Sequence, residues 1–258
     1  KVADRGATLV VAMGFAQADA VAAVAPDYPD TNFVAVDVCW LDDPAGNIYQ
    51  ACYKEHEGSF LVGMMAAMAS KSGTIGFVGG MDIPLIRKFQ GGYEQGAQYV
   101  NPDIQVIANM TGTTPEAWNN PTKGGELAKS MYDNGADIIY AAAGGTGLGV
   151  LQAAADNKKL AIGVDSNQNH IQPGYVLTSM LKRVDVAAYE VFKTGHDGSW
   201  KAGFKILGLA EDGVGWSLDE HNAKLVTSAM KSKVEQVREG ILSGKIKIHD
   251  YMSDNKCP

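Results

Sequence analysis

The chain has 258 residues, 46% of them hydrophobic, enough to bury one large core or two of ordinary domain size. Its net charge of −7 and its scattered Lys and Arg argue against nucleic acid as a partner, because phosphate binding draws on clustered cations. No apolar stretch approaches the ~20 residues that span a bilayer, the most apolar window, 60–69, being short and rich in Gly, Ala and Met.

Residues 2–6 read as a last helical turn closed by Gly6, ahead of a strand at 8–13. A further segment is therefore expected upstream, with room for a signal peptide. Apolar runs of strand length, bounded by Gly, Asp or Asn, follow at 32–37, 47–53, 73–78, 104–109, 137–142, 160–164 and 175–181. Helical patterns with apolar residues at i, i+3 and i+4 fill 16–25, 54–70, 85–100, 123–134, 147–157 and 184–193. The alternation predicts a doubly wound α/β architecture with parallel sheets.

The small polar stretch 70–73 marks a break, after which a new β-α series begins. Two lobes are expected: residues 1–70 with 184–222, lacking their N-terminal strands as given, and residues 71–183. The segment 223–258, an amphipathic helix at 223–243 with a tail, is assigned to neither lobe. A chain that crosses repeatedly between two lobes predicts a hinge and a cleft that closes on small ligands. Cys39 follows one strand and Cys52 ends the next extended run, so a bridge and two free thiols are both open, and Cys257 is left over.

Open α/β sheets bind ligands beyond the carboxyl ends of their strands, which singles out Gly14, Phe15, Asp37, Met81, Asp82, Gly144, Gly145 and Asp165. The loop 143–149 (AGGTGLG) lies between a strand and a helix, with Asp165 ending the next strand, the layout of a dinucleotide-binding unit. Its glycines are spaced G-x-G-x-G and Val150 stands where a small closing residue belongs, so a tight turn with close helix packing weighs more. A third reading offers the bare N–H groups of the helix start to ligand hydroxyls.

Catalytic constellations are poor. No nucleophile elbow, zinc-protease motif or cysteine pair at metal spacing occurs, and His56, His170, His196, His221 and His249 are dispersed. Neither metal, cofactor nor catalysis is expected. Asp42, Asp43, Glu55 and Glu57 read as solvated surface, and the sequon at 109–111 carries little weight. Trp118 lies in the polar loop 111–121, beyond the carboxyl end of strand 104–109. It packs on the body or meets a ligand, and stacking a planar base there is worth ~1–3 kcal/mol. Lys182 ends strand 175–181 and, paired with Asp165, would hold ribose-like hydroxyls through charge-assisted hydrogen bonds.

Seven segments in order resemble one family: Gly14-Phe15, 33–37 (FVAVD), 55–63 (EHEGSFLVG), 75–84 (IGFVGGMDIP), 142–147 (AAGGTG), 162–165 (IGVD) and 177–182 (LTSMLK). Together they resemble the basic membrane protein family, in its purine nucleoside receptor branch of bacterial substrate-binding lipoproteins, over nearly the whole chain. The resemblance implies a two-lobed type I periplasmic-binding-protein fold, each lobe a doubly wound parallel sheet, with a nucleoside in the hinged cleft. It implies delivery to the permease and ATPase subunits of an ABC importer without chemical conversion. It also implies a periplasmic or cell-envelope location, with an N-terminal lipid anchor as the sole link to the membrane.

Carried over by residue, Trp118 stands where the family usually has a base-stacking Phe, and Gly144, Asp165 and Lys182 match the positions that hold the ribose. Phe15 and Asp37 match first-lobe positions, and Asn120 sits near a commonly acidic one. Family members begin with a strand, a helix and a second strand ahead of the point where Lys1 stands, and that segment brings an acidic residue and a second stacking aromatic; the resemblance thus implies about sixty residues upstream, two β-α units of ordinary size, without which strand 8–13 would be an open sheet edge. The rival expectations are a receptor for a sugar or free nucleobase, an NAD-dependent oxidoreductase using the loop 144–149, and a sensory module that signals without transport.

Overall fold

A computed structural model describes residues 1–257. The chain runs β1 (Leu9–Ala12), α1 (Ala18–Val24), β2 (Asn32–Val36), β3 (Ile48–Tyr53), α2 (Glu55–Ala69), β4 (Thr74–Met81), α3 (Pro84–Val100), β5 (Gln105–Gly112) and α4 (Pro121–Asp133). It continues with β6 (Ile138–Ala142), α5 (Gly147–Asp156), β7 (Leu160–Asp165), β8 (Val176–Lys182), α6 (Val184–Asp197), β9 (Gly203–Leu207), β10 (Val214–Trp216) and α7 (Ser228–Leu242).

Two compact units result. The first comprises Lys1–Lys54 and Arg183–Gly213, the second Glu55–Lys182 and the chain from Val214 onward. In the first unit a four-stranded sheet has the order β1-β2-β3-β9, every pair parallel. Its central strand β2 is apolar on both faces, as a strand covered on two sides must be, and Phe33 packs with Ala12, Val21 and Ile48. A disulfide joins Cys39, just past β2, to Cys52 in β3, with Cα atoms 5.8 Å apart, which decides between the two readings of that pair.

The second unit holds a six-stranded sheet of order β10-β8-β7-β6-β4-β5, in which only β10 runs antiparallel to its neighbour. The chain steps from β4 outward to β5, crosses back to β6 on the other side of β4, and continues through β7 and β8. That reversal makes a topological switch point at the carboxyl ends of β4 and β6, where ligands of open sheets bind. The core behind it is aromatic: the fully buried Tyr140 ring lies 5.5 Å from Phe77 and 5.3 Å from Tyr93.

The division of the chain differs from the expected lobes. Helix α2 belongs to the second unit because it packs against α3 with almost no space between backbones: a β-carbon at Gly92 would overlap the His56 backbone, and one at Gly96 the Phe60 backbone. The polar stretch after α2 is therefore a turn inside one unit, and the boundary falls at Lys54. Residues 214–222 and the C-terminal segment also join the second unit, since β10 pairs with β8 and α7 packs on α2. Helix α7 starts later than the expected 223. Thr227 caps it by accepting the Met230 N–H at 3.1 Å. Asn222 keeps the preceding residues out of the helix, its amide donating to the Leu177 and Ser217 carbonyls at 2.9 and 3.0 Å.

Candidate functional site

The strand order of the second unit sets the candidates side by side. Lys182 ends β8, Asp165 ends β7, Gly144 follows β6, and Gly80 and Met81 end β4, on neighbouring strands about 4.8 Å apart. Asp165 has a left-handed backbone, φ 64°, uncommon for a residue with a side chain and concentrated at functional positions. Its carboxylate lies 3.7 Å from the Lys182 ammonium. The Lys182 side chain is only 8% exposed and that of Asp165 is 50% exposed. The cation is steadied from below by the Phe89 ring, whose centroid is 5.6 Å from Nζ. A recessed donor beside an outward-facing acceptor suits a ligand with adjacent hydroxyls, each able to donate to one group and accept from the other.

Next to this pair lies Trp118, half-buried at the end of a 3-10 turn, Pro115–Trp118, that follows β5. Its ring rests on Gly80, where a β-carbon would overlap it, and a β-carbon at Gly144 would sit 3.5 Å from Cε3. The indole is thus laid across the switch point. The turn is fixed through the Ala117 carbonyl, which accepts the Thr111 and Thr146 hydroxyls, each at 2.8 Å. Thr146 Oγ1 also accepts the Asn120 N–H at 2.7 Å. The Asn120 side chain caps α4 by accepting the Lys123 N–H at 3.0 Å. Neither threonine stood out in the sequence, where Thr111 opens the Trp118 loop and Thr146 lies apart from it inside the glycine-rich loop.

The glycine-rich loop has a packing role. A β-carbon at Gly149 would overlap the Pro121 carbonyl and one at Gly124 the Thr146 carbonyl, so α4 and α5 touch through these positions. The turn-and-packing reading accounts for this glycine without a pyrophosphate.

In the first unit, Phe15 and Asp37 follow the adjacent parallel strands β1 and β2. Asp37 repeats the left-handed backbone of Asp165, also at φ 64°, and its N–H donates to the Ala51 carbonyl at 2.9 Å. Phe15, after Gly14, packs against Ala18, Ala35 and Val38.

One candidate is already engaged, and one expectation needs correction. Asp82 is engaged by Arg87 in a two-pronged pair, both contacts 2.7 Å, and this guanidinium holds its carboxyl below the usual carboxylate range. Glu55 and Glu57 are buried, not solvated, with 1% and 9% exposure. Glu55 is drawn in by the Lys88 ammonium at 3.1 Å, and Asp250 lies 3.6 Å from the same cation and 3.7 Å from His56. Burial pushes the Tyr140 phenol well above its ordinary value, so it stands behind Asp165 as a neutral hydroxyl. Among the described residues no group of three or more His, Cys, Asp or Glu is arranged to hold a metal ion, and no helix is long and apolar enough to cross a membrane.

A family model, Bmp, described as ABC transporter substrate-binding protein PnrA-like, matches residues 1–251. The chain belongs to this family. Basic membrane protein D of Borreliella burgdorferi is 34% identical over 95% of the chain and 72% of its own length. The ABC transporter nucleoside-binding protein BmpA of Lactococcus lactis subsp. cremoris is 32% identical over 95% of the chain and 72% of its own length. The crystal structure of an ABC transporter solute-binding protein from Aeropyrum pernix K1 superposes with a TM-score of 0.84 at 28% identity, over 95% of this chain and 78% of that one. The two parallel sheets are therefore those of the type I periplasmic-binding fold. As a Bmp-family member the chain is the substrate-binding component of an ABC transport system, in a family of solute-binding proteins rather than enzymes.

Proposed function

We propose that this Bmp-family protein binds a purine nucleoside and hands it, chemically unchanged, to the permease and ATPase of an ABC importer. Trp118 stacks on the base, the Gly144 backbone lies beside it, and Asp165 and Lys182 grip the ribose. The observation that carries this reading is the placement of an aromatic platform and an acid–cation pair on adjoining strand ends: Trp118 over Gly144 after β6, and the 3.7 Å Asp165–Lys182 pair at the ends of β7 and β8. A purine nucleoside has the same two parts, a flat base and a sugar with vicinal hydroxyls. The nucleoside-binding name of the Lactococcus relative supports it. In the first unit, Phe15 and Asp37 are proposed as further ligand contacts. The protein works outside the cytoplasm, held to the membrane by an N-terminal lipid, and its Cys39–Cys52 bridge suits an oxidising compartment.

Calorimetric titration with guanosine, inosine, adenosine, ribose and NAD tests the proposal, nucleosides being expected to bind far more tightly than ribose or NAD. Trp118→Ala should weaken nucleoside binding by ~1–3 kcal/mol, the worth of a stacked base, and Lys182→Met by ~1.5–3 kcal/mol, the worth of a hydrogen bond to a charged group. Tight ribose binding untouched by Trp118→Ala would make the protein a sugar receptor, and a response to NAD alone would move it to the dinucleotide class.

A further inference from the structure

The glycine-rich loop between β6 and α5 carries a residue that the ligand reading leaves unused. Thr146 is fully buried, and Thr111, at the end of β5, is 4% exposed. Both hydroxyls point at one atom, the carbonyl oxygen of Ala117, each 2.8 Å away. Thr111 Oγ1 also lies 3.2 Å from the carbonyl of Gly80, the residue under the Trp118 ring. A carbonyl has two lone pairs, and here both are occupied by side chains from two different strand ends.

We propose that Thr111 and Thr146 are positioning residues that latch the 3-10 turn and hold the Trp118 ring flat across Gly80 and Gly144, ready for a base before any ligand arrives. Its consequence for affinity rests on the nucleoside reading; the latch itself does not. The physical argument is pre-organisation. Trp118 ends a short turn of four residues, Pro115–Trp118, and such a turn leaves the ring free to leave the sheet end unless something ties its backbone down. The two hydroxyls tie it one residue before the ring. On this view the loop 143–149 is shaped to bring Thr146 under the Ala117 carbonyl, which gives its glycine-rich character a use in recognising an aromatic ligand that is not phosphate binding.

The experiment uses the full chain with Trp40, Trp200 and Trp216 replaced by Phe, leaving Trp118 as the sole indole. Time-resolved fluorescence anisotropy and acrylamide quenching then report its motion in the ligand-free protein. Thr146→Val and Thr111→Val should each increase the ring's local motion and its quenching, and Thr146→Ser, which keeps the hydroxyl, should restore both. Tyr132→Phe removes another hydroxyl-to-carbonyl bond of the same unit, to Leu160 at 2.9 Å, and should leave Trp118 unmoved. Inosine affinity should fall roughly 3- to 10-fold in each Val variant, the worth of one hydrogen bond, and recover in the Ser variant. Trp118 equally rigid in both folded Val variants, or equally loosened by Tyr132→Phe, overturns the latch. Should one Val variant fail to fold, the other still decides. Should inosine bind not even the parent chain, the nucleoside reading falls and the anisotropy arm still judges the latch.

Discussion

Both sheets end a strand on an aspartate in the left-handed conformation, Asp37 in the first unit and Asp165 in the second, yet what stands behind each is different. Behind the second sheet lie Phe77, Tyr93 and Tyr140, all wholly buried, and the candidates in front are locked by side chains: Lys182 over Phe89, Trp118 on Gly80, the turn on two threonines. The first unit has four strands, leaves Phe204 67% and Tyr189 70% exposed, and is stapled by a disulfide. One backbone device thus serves two scaffolds. In the second, packing holds the candidate groups in place; in the first, a covalent bond takes over part of that work.

The sharpest way to break this contrast is to remove one aromatic ring from each unit. Phe77→Ala empties a fully buried site between Tyr93 and Tyr140 and should cost ~3–5 kcal/mol in urea denaturation, as large-to-small core changes do. Phe204→Ser changes an exposed position of β9 and should stay within about 0.5 kcal/mol. Equal losses would show that the two units are consolidated alike. Opening the staple comes next in size. Cys39 and Cys52 are 13 apart in sequence, and a bridge over a loop of that order stabilises by ~3 kcal/mol. Replacing both by Ser should speed hydrogen exchange in β1, β2 and β3 and leave β4 and β6 to β8 unchanged. Loosening spread evenly over both sheets would deny that the staple serves one unit.

Much of this was legible in the sequence, because strand runs bounded by Gly or Asp and helices with i, i+3, i+4 patterns are local signals. The strand ends Asp37, Gly144, Asp165 and Lys182 were found from that rhythm alone, and Trp118 from its place in a polar loop. Long-range facts were not local and were missed. The polar residues 70–73 resembled a domain boundary, while the pairing of α2 with α3 depends on Gly92 and Gly96 well downstream. Glu55 looked solvated because its burial needs the ammonium of Lys88 on another helix. That β5 lies outside β4, which creates the switch point, follows from strand pairing and has no trace in either segment. Thr111 and Thr146 were silent for the same reason: each is an ordinary threonine until both reach one carbonyl.

The smallest expected difference lies in two surface arginines, one per unit. Arg87 grips Asp82 with both prongs at 2.7 Å. Arg183 holds Asp185 with two nitrogens as well, but at the longer distances of 3.0 and 3.1 Å, and reaches Asp212 at 3.1 Å with a third. Hydrogen bonding from the arginine holds both the Asp82 and the Asp185 carboxyls below their ordinary range, against a smaller opposing effect of burial. A carboxyl whose folded pKa is depressed stabilises the fold above its unfolded pKa, about 3.9, and loses that contribution as pH falls through the folded value. Asp82 is 42% exposed, so solvent screening keeps the pair to at most ~0.5 kcal/mol. Arg87→Met should therefore lower stability slightly at about pH 6, with the gap to the parent chain closing below about pH 4 and shrinking in high salt. Arg183→Met should show the same sign with a smaller gap, because its contacts with Asp185 are longer and Asp185 is 69% exposed. A gap that stays unchanged as the pH falls would mean that Arg87 stabilises the second unit by packing its aliphatic stem and not by pairing, and the likeness drawn between the two arginines would be lost.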